Sequence, residues 1–223
     1  MIRKVPLASL FLVANLLATF GSARAQQIQP ETKFQKQLDR VDLGVSAAGL
    51  FNSTVTGIVD PKGTAANIGT SVTDVPSNTV GELVTIRYIA RPKFGLELNF
   101  LNARYTENFS YAPYGVQTGA REFTLGYVVT PKQTILGLHP LLSAGFGATE
   151  FKPTAHGGEG LPVQARATYY YSLGVQYDVS PHFGLRAGFR QAFYLAPDFG
   201  QNYLTILQHT TSYEPTAGFS LRF

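Results

Sequence analysis

His209, Ser212 and Glu214 fall within one short stretch, and a base, a hydroxyl and a carboxylate are the parts of a nucleophilic triad. That chemistry needs the three groups within hydrogen-bond reach of one another. On an alternating strand Ser212 and Glu214 share a face, while His209 falls in a loop. The set therefore reads as a loop histidine beside a paired carboxylate, and no catalytic residue is assigned. The other histidines, His139, His156 and His182, show no spacing to carboxylates that suggests a metal site. His156-Gly157-Gly158-Glu159-Gly160 lies between strands with no helix after it, which a phosphate loop requires. Cysteine is absent, which excludes disulfides, thiolate metal sites and a cysteine nucleophile. No cofactor is expected.

The remaining chemistry-bearing groups are charges on the polar side of alternating runs: Asp42, Glu97, Glu122, Asp178 and Glu214 against Arg87, Arg166, Arg186, Arg190 and Arg222. Charges of matched number in a confined space must pair or lose several kcal/mol apiece, on the order of magnitude of ion desolvation. They read as a cross-linked plug of ion pairs; the other reading is a set of solvated walls.

The elements that would position them are strands. Eight runs alternate apolar and polar residues with period two: 41–51, 82–90, 94–103, 122–129, 141–151, 166–179, 183–195 and 213–223. That period is the mark of a strand with two unlike faces. X-Pro turns at Arg91-Pro92-Lys93, Thr130-Pro131-Lys132 and Ser180-Pro181-His182 alternate with longer Gly-, Asn- and Thr-rich connections at about 53–78, 105–119, 153–164 and 197–211. In the second of these, Tyr105, Phe109, Tyr111 and Tyr114 are candidate surface-loop contacts. Short connections at one end and long ones at the other match a membrane barrel, with the short turns in the periplasm.

Residues 1–25 carry Arg3 and Lys4, an apolar stretch and the small-residue exit Ala23-Arg24-Ala25, which reads as a signal peptide cut after Ala25. Three of the 18 bases leave with it, so the formal charge falls from +4 to about +1 and a nucleic-acid partner has no electrostatic support. Residues 26–40 form a polar extension and 41–223 the barrel domain. Alternation alone does not say which face looks inward, so a soluble lipocalin-like barrel is the rival. Small residues on the polar face, aromatics at strand ends and a final Phe223 favour the membrane.

With these features the chain resembles the small bacterial outer-membrane β-barrel proteins, the class of the OmpA transmembrane domain, OmpX and OmpW. The resemblance implies an all-β, eight-stranded antiparallel transmembrane barrel in the cell outer membrane, preceded by a cleaved signal peptide. It also implies contact with outer-membrane lipid and lipopolysaccharide. Tyr213, Phe219, Leu221 and Phe223 would be the C-terminal signal read by the barrel assembly machinery. A monomer is expected, with a structural or surface-interaction role and an extracellular ligand at the long loops. A narrow OmpW-like channel is the alternative, although Leu83, Ile89 and Leu101 are too scattered in sequence to make an apolar path. An enzyme acting on lipid A has the least support.

Overall fold

The structure is a computed structural model that describes residues 32–58, 69, 71–91, 93–110, 114–158, 160–199 and 208–223. Ala23, Ala25 and Tyr111 lie outside the described residues. The chain divides into two compact units, Met1–Lys36 and Gln37–Phe223. Thr32 opens a short helix, α1 (Lys33–Leu38). Thr32 Oγ1 accepts the Gln35 N–H at 3.2 Å and Gln35 Oε1 accepts the Thr32 N–H at 2.8 Å, the reciprocal pattern of a capping box.

The second unit holds ten strands among the described residues: β1 (Val41–Asn52), β2 (Val55–Ile58), β3 (Ser71–Pro76), β4 (Thr79–Arg91), β5 (Phe94–Phe109), β6 (Val116–Val129), β7 (His139–Pro153), β8 (Gln164–Asp178), β9 (Phe183–Leu195) and β10 (His209–Arg222). β1 and β4–β10 correspond to the eight alternating runs. Each pairs antiparallel with its neighbours, and β10 closes on β1. Following one row of partners round the ring shows how it closes. Phe51 faces Tyr213, then Gln191, Tyr171, Ala144, Tyr127, Leu96, Tyr88 and finally Val41. The row returns to β1 ten residues below its start, a stagger that goes with strands tilted by roughly 35–45°.

The alternation puts apolar residues outside. Phe123, Leu125 and Tyr127 are 59%, 49% and 73% exposed, while Glu97, Asn99 and Arg190 are buried. This is the reverse of a soluble barrel, and such a surface is stable only against an apolar solvent. Phe94, Tyr177 and Phe223 stand at the turn end of the exposed belt, with Phe51, Phe123, Tyr169 and Tyr213 at its loop end. Along β10 the steps from Tyr213 to Phe223, at about 3.3 Å each and tilted, make a belt about 25 Å tall. The chain is a membrane-spanning barrel.

β5 shows where the strands leave the membrane. Phe94, Leu96 and Leu98 point out while Glu97 and Asn99 point in; beyond Phe100 the pattern inverts, with Asn102, Arg104 and Asn108 outside and Tyr105, Glu107 and Phe109 inside. The same height carries Arg121 on β6 and Lys152 on β7, both exposed. Past it the barrel wall stands in water and has an ordinary packed interior.

Two expectations are corrected here. Tyr105 and Phe109 are not loop residues: both belong to β5 and each is 4% exposed. Tyr114 remains an exposed residue of the connection. The connection at 53–78 contains the β2–β3 hairpin, and β3 pairs with the outer part of β5. Between the pairs Pro76–Glu107 and Glu82–Asn102, five residues of the β3–β4 segment face four of β5. This bulge reverses the parity, so that Asp74 faces inward above it and Leu83 below it. Ser77 bridges the break, donating its N–H to Thr106 O at 2.8 Å and accepting the Thr106 N–H on Oγ at 2.9 Å.

Candidate functional site

Inward parity brings nine of the ten expected charges into linked groups along the lumen. Toward the turn end, Arg186 Nη2 donates to both Asp42 oxygens at 2.8 Å and to Gln176 Oε1 at 2.8 Å. Arg222 reaches Asp178 at 3.0 Å and Asp42 at 3.8 Å. Arg87 Nε lies 2.5 Å from Glu97 Oε2. The other Glu97 oxygen accepts from Ser143 at 2.9 Å, Asn99 at 3.0 Å and Tyr170 at 3.1 Å, which satisfies a carboxylate whose burial would otherwise be costly.

Midway along the bore Arg190 forks between two carboxylates, Glu122 on β6 and Glu214 on β10. Its guanidinium also sits 4.5 Å above the ring of Tyr170, a cation–π contact. Tyr170 therefore joins the Glu97 group to the Arg190 group. The tenth residue, Arg166, stands apart: it binds Asp198 at 3.1 Å near the loop end, a partner outside the expected set.

The lumen also holds two apolar clusters. Ala48, Leu50, Leu83, Leu101 and Ala103 form one buried cluster. A second contains Tyr105, Phe109, Phe151, Tyr194 and Phe199, with Val55 and Val72 of the hairpin. Leu83 and Leu101, scattered in sequence, are thus neighbours in space. Phe199 enters the second cluster from the segment after β9, fully buried and at a φ of 52°. Its backbone N–H and that of Asp198 donate to Gln164 Oε1 at 3.1 and 2.9 Å, and its ring meets Phe109 edge-on at 6.2 Å between centroids.

Within this outer plug Asp74 and Glu107 are both buried. Burial pushes the Asp74 carboxyl up to about 7, and burial together with the Asp74 charge pushes Glu107 well above the usual range. Neither pairs with a base among the described residues. The folded pair keeps protons that the unfolded chain has released above its ordinary value, so the outer hairpin loses stability as pH rises from about 4 to 7, at ~1.4 kcal/mol per unit for one retained proton. Amide exchange of β3, normalised for the intrinsic rate, should report weakening protection over that window. Asp74→Asn should flatten the dependence; an unchanged slope in that variant would refute the pair as its source.

The triad-like set is not assembled. His209 lies exposed, Ser212 and Glu214 face the lumen, and Glu214 is held by Arg190. His139 approaches Asp178 at 3.5 Å at the turn end. Tyr213, Phe219, Leu221 and Phe223 lie on the outward face of the last strand, with Tyr213, Phe219 and Leu221 paired to Phe51, Val45 and Leu43 of β1. Sequence reasoning missed Asp74, Glu107 and Asp198. Glu107 shares the parity of Glu97 on β5 and was legible by extending that strand; Asp74 lies beyond the bulge and carried no such signal.

No family model matches the chain, and no curated protein matches it in sequence. Among solved structures it is similar to the outer membrane protein OprG from Pseudomonas aeruginosa, with a TM-score of 0.61 at 13% identity over 82% of this chain and 95% of that one. It is also similar to Neisserial surface protein A, with a TM-score of 0.56 at 15% identity over 82% and 97%. The fold is that of the small outer-membrane β-barrels.

Proposed function

We propose that the chain is an outer-membrane barrel with a closed bore, whose role is structural or surface-interactive. The observation that carries this reading is the Arg190 fork. One side chain, 3% exposed, bridges carboxylates from β6 and β10 across the lumen, and the Arg186, Arg87 and Arg222 pairs fill the bore below it. An eight-stranded barrel has room for little beyond such side chains. The parts left to meet a partner are the outer wall above Arg104 and the β2–β3 hairpin. Lipid contact follows from the belt; lipopolysaccharide against its outer edge, and the assembly machinery at Phe223, belong to the same proposal. With Glu214 committed to Arg190, no catalytic role is assigned.

A second reading, uptake of small apolar molecules, draws on the two buried apolar clusters of the lumen. Planar-bilayer recording of the refolded chain separates the two. We expect a silent wild type and brief openings in Arg186→Ala, which removes the clamp on Asp42. Stable wild-type openings would replace the closed-barrel reading with a channel. A silent wild type that still binds an apolar fluorescent dye would favour the second reading.

A further inference from the structure

Gly119 on β6 stands among three bases on the outer face of the wall. In the strand register it lies between Arg104 of β5 and Lys152 of β7, and Arg121 follows two residues below it on the same face. All three bases are exposed, and a Cβ on Gly119 would meet nothing nearer than Lys152 O at 3.7 Å. The missing side chain leaves an open recess of about 430 Å³ lined by Arg104, Arg121, Lys152, Asn102 and Thr154. A second recess of about 470 Å³ adjoins it through Asn102 and Arg121, and its lining includes Phe100, Phe123, Ala148 and Ala165.

These bases are not spent on carboxylates. Two carboxylates border the recesses, Glu82 and Glu150. Glu150 reaches Arg121 only at 4.0 Å, with both side chains about half exposed, a contact worth little in water. Glu82 stands on β4, two strands from Gly119. Arg104 donates to the neutral Gln117, and neither Arg104 nor Lys152 has a carboxylate partner among the described residues. A phosphate monoester carries a charge of about −1.5 to −2 at neutral pH and three acceptor oxygens, which suits one base on each side and one beneath. Directly below, the apolar recess lies where the lipid belt ends at Phe123, 59% exposed. A phosphate seat above an apolar track is the outline of a lipid. We infer that the outer face of β5–β7 binds a phosphorylated glycolipid of the outer leaflet, its phosphate over Gly119 and an acyl chain along Phe100, Phe123 and Ala148. The second charge of a monoester matches three bases better than the diester of a glycerophospholipid does, and the exposed Asn102 can bond a sugar hydroxyl. The site rests on the outer-membrane reading and names the lipopolysaccharide group held and the wall that holds it.

The test mixes the refolded full chain in detergent with bisphosphorylated lipid A, its dephosphorylated form or phosphatidylglycerol, and counts bound lipids by native mass spectrometry. One bisphosphorylated lipid A is expected to bind at least about tenfold more tightly than either competitor. Gly119→Glu puts a carboxylate into the recess without removing a base and should weaken that binding by about tenfold or more. Lys152→Gln, at an exposed position, should show the same loss to a lesser degree. Thr211→Glu adds the same charge to the outward face of β10 and should bind as the wild type does. Heat-modifiable mobility reports the barrel separately, so a folded wild type that retains no lipid A would overturn the site and leave the barrel reading standing. Phosphatidylglycerol held as tightly would overturn the glycolipid assignment. Undiminished binding in folded Gly119→Glu or Lys152→Gln, or an equal loss in Thr211→Glu, would overturn the site.

Discussion

Replacing Arg190 by alanine will cost the barrel about 3–5 kcal/mol, the largest loss from any luminal side chain, because it strands two buried carboxylates at once. Glu122 and Glu214 are 3% and 2% exposed at the side chain, and their only cationic contact among the described residues is this guanidinium. The ring of Tyr170 loses its cation as well. Urea unfolding of protein folded into lipid vesicles measures the loss. Arg190→Met combined with Glu122→Gln and Glu214→Gln should recover most of it, since removing both signs together leaves no orphaned charge. A single-variant loss below about 1 kcal/mol would show that water already solvates the two carboxylates.

Gly147→Val should abolish folding. A Cβ on Gly147 would stand 1.9 Å from Phe123 O and 2.7 Å from the Thr124 Cα, and neither atom can swing aside as a side chain does. The next rung is also tight: a Cβ on Gly145 would meet Leu125 O at 2.3 Å, and one on Gly126, its partner, would meet Ala144 O at 2.5 Å. The backbones of β6 and β7 approach closely on this face, and glycine permits it. Heat-modifiable mobility on a gel reads out the folded fraction. Gly119→Ala on the same strand pair meets only Lys152 O at 3.7 Å and should fold as the wild type does. A folded Gly147→Val would mean that the two strands can separate by more than a methyl group without losing their pairing.

The part of this fold most legible in the sequence is the membrane section, for a physical reason. Between Phe94 and Phe100 the two faces of β5 meet different media, lipid outside and a charged lumen inside, so the period-two pattern is at its strongest. Beyond Phe100 the outside becomes water and the inside becomes a packed core. The apolar parity therefore changes sides at Phe100-Leu101, and a reading that follows one parity ends the strand there and takes Tyr105 and Phe109 for loop residues. The bulge before β4 hid Asp74 in the same way, since one extra residue exchanges the two faces. Within the charge set, parity identified which residues face inward. The partners were a matter of register: Arg166 binds Asp198 because β8 reaches the loop end, where the chain after β9 folds back over it.

The pairing of β1 with β10 has a mechanical consequence. Asp42 at the start of β1 lies opposite Arg222 at the end of β10, so a load applied to these two ends pulls on the last rung of the seam first. Ladder bonds then break one after another, as in a zipper, and never share the load as they would if the strands were sheared lengthwise. Pulled from this side, the barrel should yield at low force and in strand-pair steps, beginning with the Asp42 and Arg222 rung. The same barrel pulled from its outer hairpin and the base of β10 would load the seam along its length and resist far more strongly.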